Sequence, residues 1–129
     1  MRRSPQPTKQ GTRDKETGRV GEDAAVRYLE QQGYTILERN FRLRIGEVDI
    51  IARDGAYLVF IEVKTRRSNV FGSPFEAVNQ RKQQRIARVA LAYVARQPLE
   101  MPVRFDVAAV HIAGQTVRVE LLKNAFDAG

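Results

Sequence analysis

The sequence predicts a mixed α/β fold, with a central sheet flanked by helices. Two stretches repeat apolar residues at helical spacing, while five others alternate or form short apolar runs. They follow the order helix, three strands, helix, two strands, which suits a sheet covered by helices better than separate layers. An Asp-Gly pair between the second and third strands marks a tight hairpin.

The first helix is read from "RVGEDAAVRYLEQQG", where Val20, Ala24, Ala25, Tyr28 and Leu29 form one stripe and Gly33 supplies the stop. Glu22 falls at the edge of that stripe and Asp23 faces away. "YTILERNFRL", "GEVDIIAR" and "YLVFIEVKT" read as three strands, the last two joined at Asp54-Gly55. In "NVFGSPFEAV", Ser73, Pro74 and Glu76 fit a capping box that opens the second helix. That helix is expected to run to about Arg96, with Ile86, Val89, Ala90, Tyr93 and Val94 buried. "VRFDVAAVHI" and "QTVRVELLK" complete the sheet around Gly114.

Residues 1–17 are Pro, Gly, Ser, Thr, Gln and charge with almost nothing to bury, and are expected to form a flexible basic tail. Residues 18–129 are expected to form one domain, long enough for a real core. No apolar run approaches the roughly 18 residues of a membrane span, and the N-terminal stretch lacks the apolar region of a signal peptide, so the expected location is cytoplasmic.

The chain has no cysteine and one histidine, which excludes disulfides, thiolate catalysis and sites built on several cysteines or histidines. His111 reads most simply as a strand residue near a turn. Any metal must be held by oxygen ligands, which favours Mg²⁺ or Mn²⁺. Lys and Arg number 22 against 15 Asp and Glu, for a net charge of +7. Such an excess suits a polyanion such as nucleic acid, and plain solubility is the competing explanation.

The charges inside the apolar strands carry more chemistry. With Asp54-Gly55 as the turn, Arg53 faces Ala56 and Asp49 lies opposite Phe60, on the same face as Glu62 and Lys64. Asp49 and Glu62 are then diagonal neighbours about 7–8 Å apart at the backbone, close enough to share one ion. Two carboxylates and an ammonium at that spacing suit phosphodiester hydrolysis assisted by a divalent metal, and Glu22 at the helix edge adds a third carboxylate. A buried ion-pair network is the alternative for the same residues.

"GEVDIIARDG" followed by "LVFIEVKTR" resembles the Asp…Glu-x-Lys core of the PD-(D/E)xK nuclease superfamily, with Val48 where proline often precedes the aspartate. In addition "GEDAAVRYLEQQGYTILERNFR", "FGSPFEAVNQRKQQRI", "RFDVAAV" and "NAF" follow one another as in the YraN family of bacterial proteins. That family is of unsettled function and is similar to archaeal Holliday junction resolvases. The resemblance covers about residues 18–126. It implies a restriction-endonuclease-like fold and a metal-dependent endonuclease acting on DNA, with branched or junction DNA as a candidate substrate. Asp49, Glu62 and Glu22 would be metal ligands and Lys64 the catalytic lysine, with Mg²⁺ or Mn²⁺ as cofactor. A non-catalytic nucleic-acid-binding module on the same fold, working with a partner protein, is the second expectation. The resemblance also raises a homodimer, since resolvase-like nucleases commonly pair.

Glu47 shares the expected face of Asp49 and is a candidate supporting acid. Thr65, Arg66 and Arg67 end the third strand where phosphate contact and simple solvation are equally good readings. Arg81, Arg85 and Arg88 line one side of the second helix, and Gln80 and Lys82 lie near its start toward the site; a solvated face is the common reading, and Gln80, Lys82 and Arg85 are the candidate nucleic-acid contacts. The "FGSP" loop, residues 71–74, is a candidate cover over substrate. Asn124, Ala125 and Phe126 are expected to serve packing.

Overall fold

A computed structural model of the chain describes residues 9–67, 75, 78–98 and 100–127, with side chains from residue 15 onward. The order is α1 (Lys9–Gln31), β1 (Thr35–Leu43), β2 (Gly46–Asp54), β3 (Tyr57–Arg67), α2 (Gln80–Val94), β4 (Val103–Ala113) and β5 (Thr116–Leu122). The strands form one open five-stranded sheet in the order β1-β2-β3-β4-β5. Only β3 and β4 pair in parallel, and α2 lies between them in the chain, as a parallel connection requires.

Alternation along β3 sends Leu58 and Phe60 to one face and Val59 and Ile61 to the other. The first face packs on α2 through Ile86, Ala87, Val89 and Ala90, and the second on α1 through Ala24, Ala25 and Leu29. Phe60 is the centre of the α2 side, edge-on to Tyr93 at 5.9 Å and tilted against Phe105 at 5.8 Å. Burying such a side chain contributes roughly 1.5–3 kcal/mol. Phe126 stacks on Phe105 at 4.9 Å while the Ala125 N–H donates to the Phe105 carbonyl at 2.7 Å, so the C-terminal stretch closes this core.

Three elements differ in their limits from the sequence reading. Helix α1 begins at Lys9, well before Arg19, and its Thr17 hydroxyl accepts from Arg67 at 2.6 Å. Thr17, assigned to the tail, lines the site described below. Helix α2 begins at Gln80, where the Asn79 side chain accepts from the Lys82 N–H at 3.0 Å. Val78 is buried in the core just ahead of this cap; Ser73, Pro74, Glu76 and the "FGSP" loop lie outside the described residues. The β2–β3 turn is Gly55-Ala56, with Asp54 opposite Tyr57, rather than Asp54-Gly55. Gly55 takes the positive φ, +61°, and Asp54 is held to the sheet by Arg104 at 2.9 Å. The pairing moves by two positions, which keeps Ile51 on the face of Phe60 and Ile50 and Ala52 on the face of Val59, as expected from the turn.

A polar network lies within the α1 face, near the starts of β3 and β4. Asp106 is fully buried and accepts four hydrogen bonds: two from Arg104, one from Tyr34 and one from the Asn124 N–H. Arg104 also pairs with Asp54 and lies 5.3 Å over the Tyr57 ring. Burial and the Asp106 charge push the Tyr34 hydroxyl well above its ordinary pKa, and the hydrogen bonds to Asp106 keep Arg104 firmly charged. Replacing Asp106 by Ala leaves Arg104 paired with Asp54 and takes the acceptor from the Tyr34 hydroxyl and the Asn124 N–H, and is expected to cost about 3–5 kcal/mol in urea unfolding. A change below about 1 kcal/mol would show that the network contributes little.

Candidate metal and nucleic-acid site

The site forms where the β2–β3 ladder stops. Its last pair is Ile50 with Ile61, and Asp49 and Glu62 are the next residues of the two strands. Alternation fails on β2 at this point, because Val48 packs on the α2 side and Ile50 on the α1 side. The neighbouring strand does the same around Asn40, whose φ is +51°: Arg39 meets α1 and Phe41 joins the α2 core. Asp49 therefore points between the strands. Its Oδ2 accepts from the Val63 N–H at 2.7 Å, a donor that the ladder leaves free.

Burial first, and then the charge of Glu62, raise the Asp49 pKa from 3.8 to about 7, while the Val63 N–H pulls the other way. A side-chain hydrogen bond to Glu62 adds to the rise, so the two carboxyls are near enough to share a proton. Glu62 is buried, and its Oε1 receives two ammonium groups, Lys82 at 3.0 Å and Lys64 at 3.7 Å. Burial and the neighbouring Lys82 lower the Lys64 pKa. Lys82 moves upward despite its own burial, through its hydrogen bond and charge attraction to Glu62.

On the α1 side these groups open into a cleft of about 470 Å³ lined by Thr17, Gly18, Glu22, Asp49, Lys64, Thr65 and Arg66. Glu22 is fixed there by Arg39 at 2.9 Å and by the Asn40 amide at 3.0 Å. The helix can come this close because Gly21 has no side chain: a Cβ there would collide with the Thr65 hydroxyl. On the α2 side Glu62 lines a smaller cleft of about 200 Å³ with Gly46, Glu47, Lys82, Arg85 and Ile86.

The structure thus brings Asp49, Glu62, Lys64 and Lys82 together and sets Glu22 across the α1-side cleft. Among the described residues no three of His, Asp and Glu gather closely enough to hold a metal as a preformed cage. Glu22 stands apart because Arg39 and Asn40 hold its carboxylate. Glu47 is exposed and paired with Arg42 at 2.8 Å. Arg66 lines the larger cleft, and Arg67 donates to the Thr17 hydroxyl at 2.6 Å. Gln80, Arg81, Arg85 and Arg88 are exposed on α2. His111 lies on β4, 3.1 Å from Glu120, away from the site.

Sequence reasoning missed Arg39 and Asn40, which position Glu22. An asparagine amid strand residues was the available signal, since it tolerates the left-handed backbone that most residues avoid. It also gave Lys82 to nucleic acid alone, whereas the side chain is seated on Glu62.

The pattern of the uncharacterised protein family UPF0102 matches residues 21–110, through both the helix that carries Glu22 and the strands that carry Asp49, Glu62 and Lys64. The chain belongs to the UPF0102 family. A UPF0102 protein of Syntrophus aciditrophicus is 49% identical over 90% of this chain and 92% of its own length. One from Geobacter metallireducens is 49% identical over 88% and 94%, and one from Symbiobacterium thermophilum 50% identical over 86% and 96%. The UPF0102 match agrees with the YraN resemblance read from the motifs.

Folding holds a proton on Asp49 that the unfolded chain releases above its ordinary pKa of 3.8. In metal-free buffer stability should therefore fall as pH rises from about 4 through about 7, and stay low above that. Asp49→Asn should flatten this fall and be more stable than wild type at pH 8 by at least about 1 kcal/mol, measured by thermal melts in EDTA. An unchanged pH profile would contradict the assignment.

Proposed function

We propose that this protein is a metal-dependent nuclease of PD-(D/E)xK type that hydrolyses DNA phosphodiester bonds, with branched or junction DNA as its substrate class. One contrast carries the reading. Asp106 shows how this chain treats a structural carboxylate, with four hydrogen-bond donors. Asp49 has one backbone donor and a second carboxylate beside it, at the wall of an open cleft. Such a pair is costly to the metal-free fold and gains from a cation.

The donor set fits a hard dication. Mg²⁺ and Mn²⁺ take carboxylate oxygens, and Mg²⁺ typically uses one or two of them with waters and phosphate oxygens completing its shell. Asp49 and Glu62 would hold the ion, with Glu22 as a further carboxylate facing the α1-side cleft that Asp49 also lines. When bound, the ion supplies Lewis acidity toward the phosphate and makes water easier to deprotonate. Lys64, with its pKa lowered by burial and by Lys82, is suited to exchange a proton at Nζ and to stabilise charge developing on the phosphate. Arg66 in the cleft, with Arg67, Gln80, Lys82 and Arg85 around it, would contact the nucleic-acid backbone and set its path. The preference for DNA comes from the resemblance to resolvases, because phosphate chemistry is common to RNA and DNA.

A second reading, a nucleic-acid-binding module that cuts nothing, is favoured by the ammonium groups that already balance Glu62. Labelled duplex, single-stranded, flapped and four-way-junction DNA should be incubated with Mg²⁺, Mn²⁺ or EDTA. The nuclease predicts metal-dependent cutting, abolished by Glu62→Ala and lowered at least about 100-fold by Lys64→Ala, with DNA binding retained. Binding without cutting, equal in wild type and both variants, would establish the second reading instead.

A further inference from the structure

Glu62 receives its shorter ion pair from outside the sheet. Lys82 reaches it at 3.0 Å from the first turn of α2, while Lys64, two residues along the same strand, stays at 3.7 Å. With Asp49 and Glu62 ionised, the two ammonium groups leave these four side chains neutral. A dication entering beside Glu62 brings two further positive charges into a space where the Glu62 side chain is only 8% exposed. One ammonium has to leave. Lys64 is held by β3 and its side chain is 20% exposed, whereas that of Lys82 is 39% exposed. A lysine stem is flexible and its ammonium strongly hydrated, so a half-exposed lysine at a helix start moves out most easily. The Asn79 cap on the Lys82 N–H keeps the backbone in place, so the side chain can move alone.

We infer that Lys82 is an exchangeable counter-cation: it occupies Glu62 in the free protein and leaves when a divalent metal binds. This rests on the metal reading proposed above. In the free chain Lys82 competes with the metal and holds its affinity down. Once released it stands beside Gln80 and Arg85 on the exposed start of α2, where a backbone phosphate is the natural new partner. Metal and nucleic acid then strengthen each other's binding, because each removes the group that opposes the other.

Isothermal titration of the full chain with Mn²⁺ tests the exchange in wild type, Lys82→Met and Lys82→Arg. Lys82→Met should bind Mn²⁺ on the order of ten-fold more tightly than wild type, with Lys82→Arg near wild type. Metal-free Lys82→Met should also melt below wild type and gain more from Mn²⁺, which separates lost competition from a damaged fold. Equal or weaker affinity in Lys82→Met, with wild type binding normally, overturns the exchange and leaves the metal site standing. No Mn²⁺ binding by either protein overturns both. In a second arm, fluorescence anisotropy follows a labelled DNA duplex in Ca²⁺ or EDTA. Ca²⁺ should raise the affinity of wild type, and Lys82→Met should lose most of that gain; an equal gain in both overturns the transfer of Lys82 to phosphate.

Discussion

The bond from the Val63 N–H to Asp49 is the contact around which the site is arranged. A ladder that continued would give that donor a backbone carbonyl from β2 and close the sheet over the position of Glu62. Instead β1 and β2 change face together at Asn40 and Asp49, and a carboxylate takes the place of the carbonyl. Everything chemically distinctive follows from that substitution. The strands part, Asp49 meets Glu62, and a cleft opens onto α1 that a regular sheet would fill.

The helices then decide what surrounds the parted strands. Gly21 lets α1 lie directly on Thr65, which brings Glu22 to the cleft wall, and Arg39 with Asn40 holds its carboxylate there. The Asn79 cap starts α2 where Lys82 reaches Glu62 from the opposite side. Neither placement comes from hydrophobic packing alone: one needs the smallest residue and the other a side-chain cap. The apolar clusters supply the stiffness, with Ile50, Ile61 and Leu29 on one face and Phe60, Val89 and Phe105 on the other.

Much of this was legible before any coordinates. Five strands and two helices follow from alternation and helical spacing, and the meeting of Asp49 with Glu62 follows from hairpin parity. What could not be read has definite causes. Asn79 caps α2, while the Ser73-Pro74-x-Glu76 pattern lies outside the described residues, and local sequence does not rank two good caps. The diagonal placement of Asp49 rested on Asp54-Gly55 as the turn, and the Gly55-Ala56 turn moves the register by two positions; the turnover at Asn40 involves a second strand that a hairpin argument leaves out. Asp106 looked like one polar residue in a strand. Its partners Tyr34 and Asn124 lie 72 and 18 residues away, and only the folded chain brings them together.

The Asp106 network also governs how this fold can vary. It ties the starts of β3 and β4 to β2 and the C-terminal stretch, whereas the cleft lies further along β3, where the ladder to β2 has already ended. Strands clamped at one end and parted at the other behave as a cantilever. The fixed end sets the alignment, and the parted end, where β2 and β3 each keep one neighbour, can change its side chains without loosening the anchor. Side chains at the cleft can therefore diverge while the clamp preserves the scaffold.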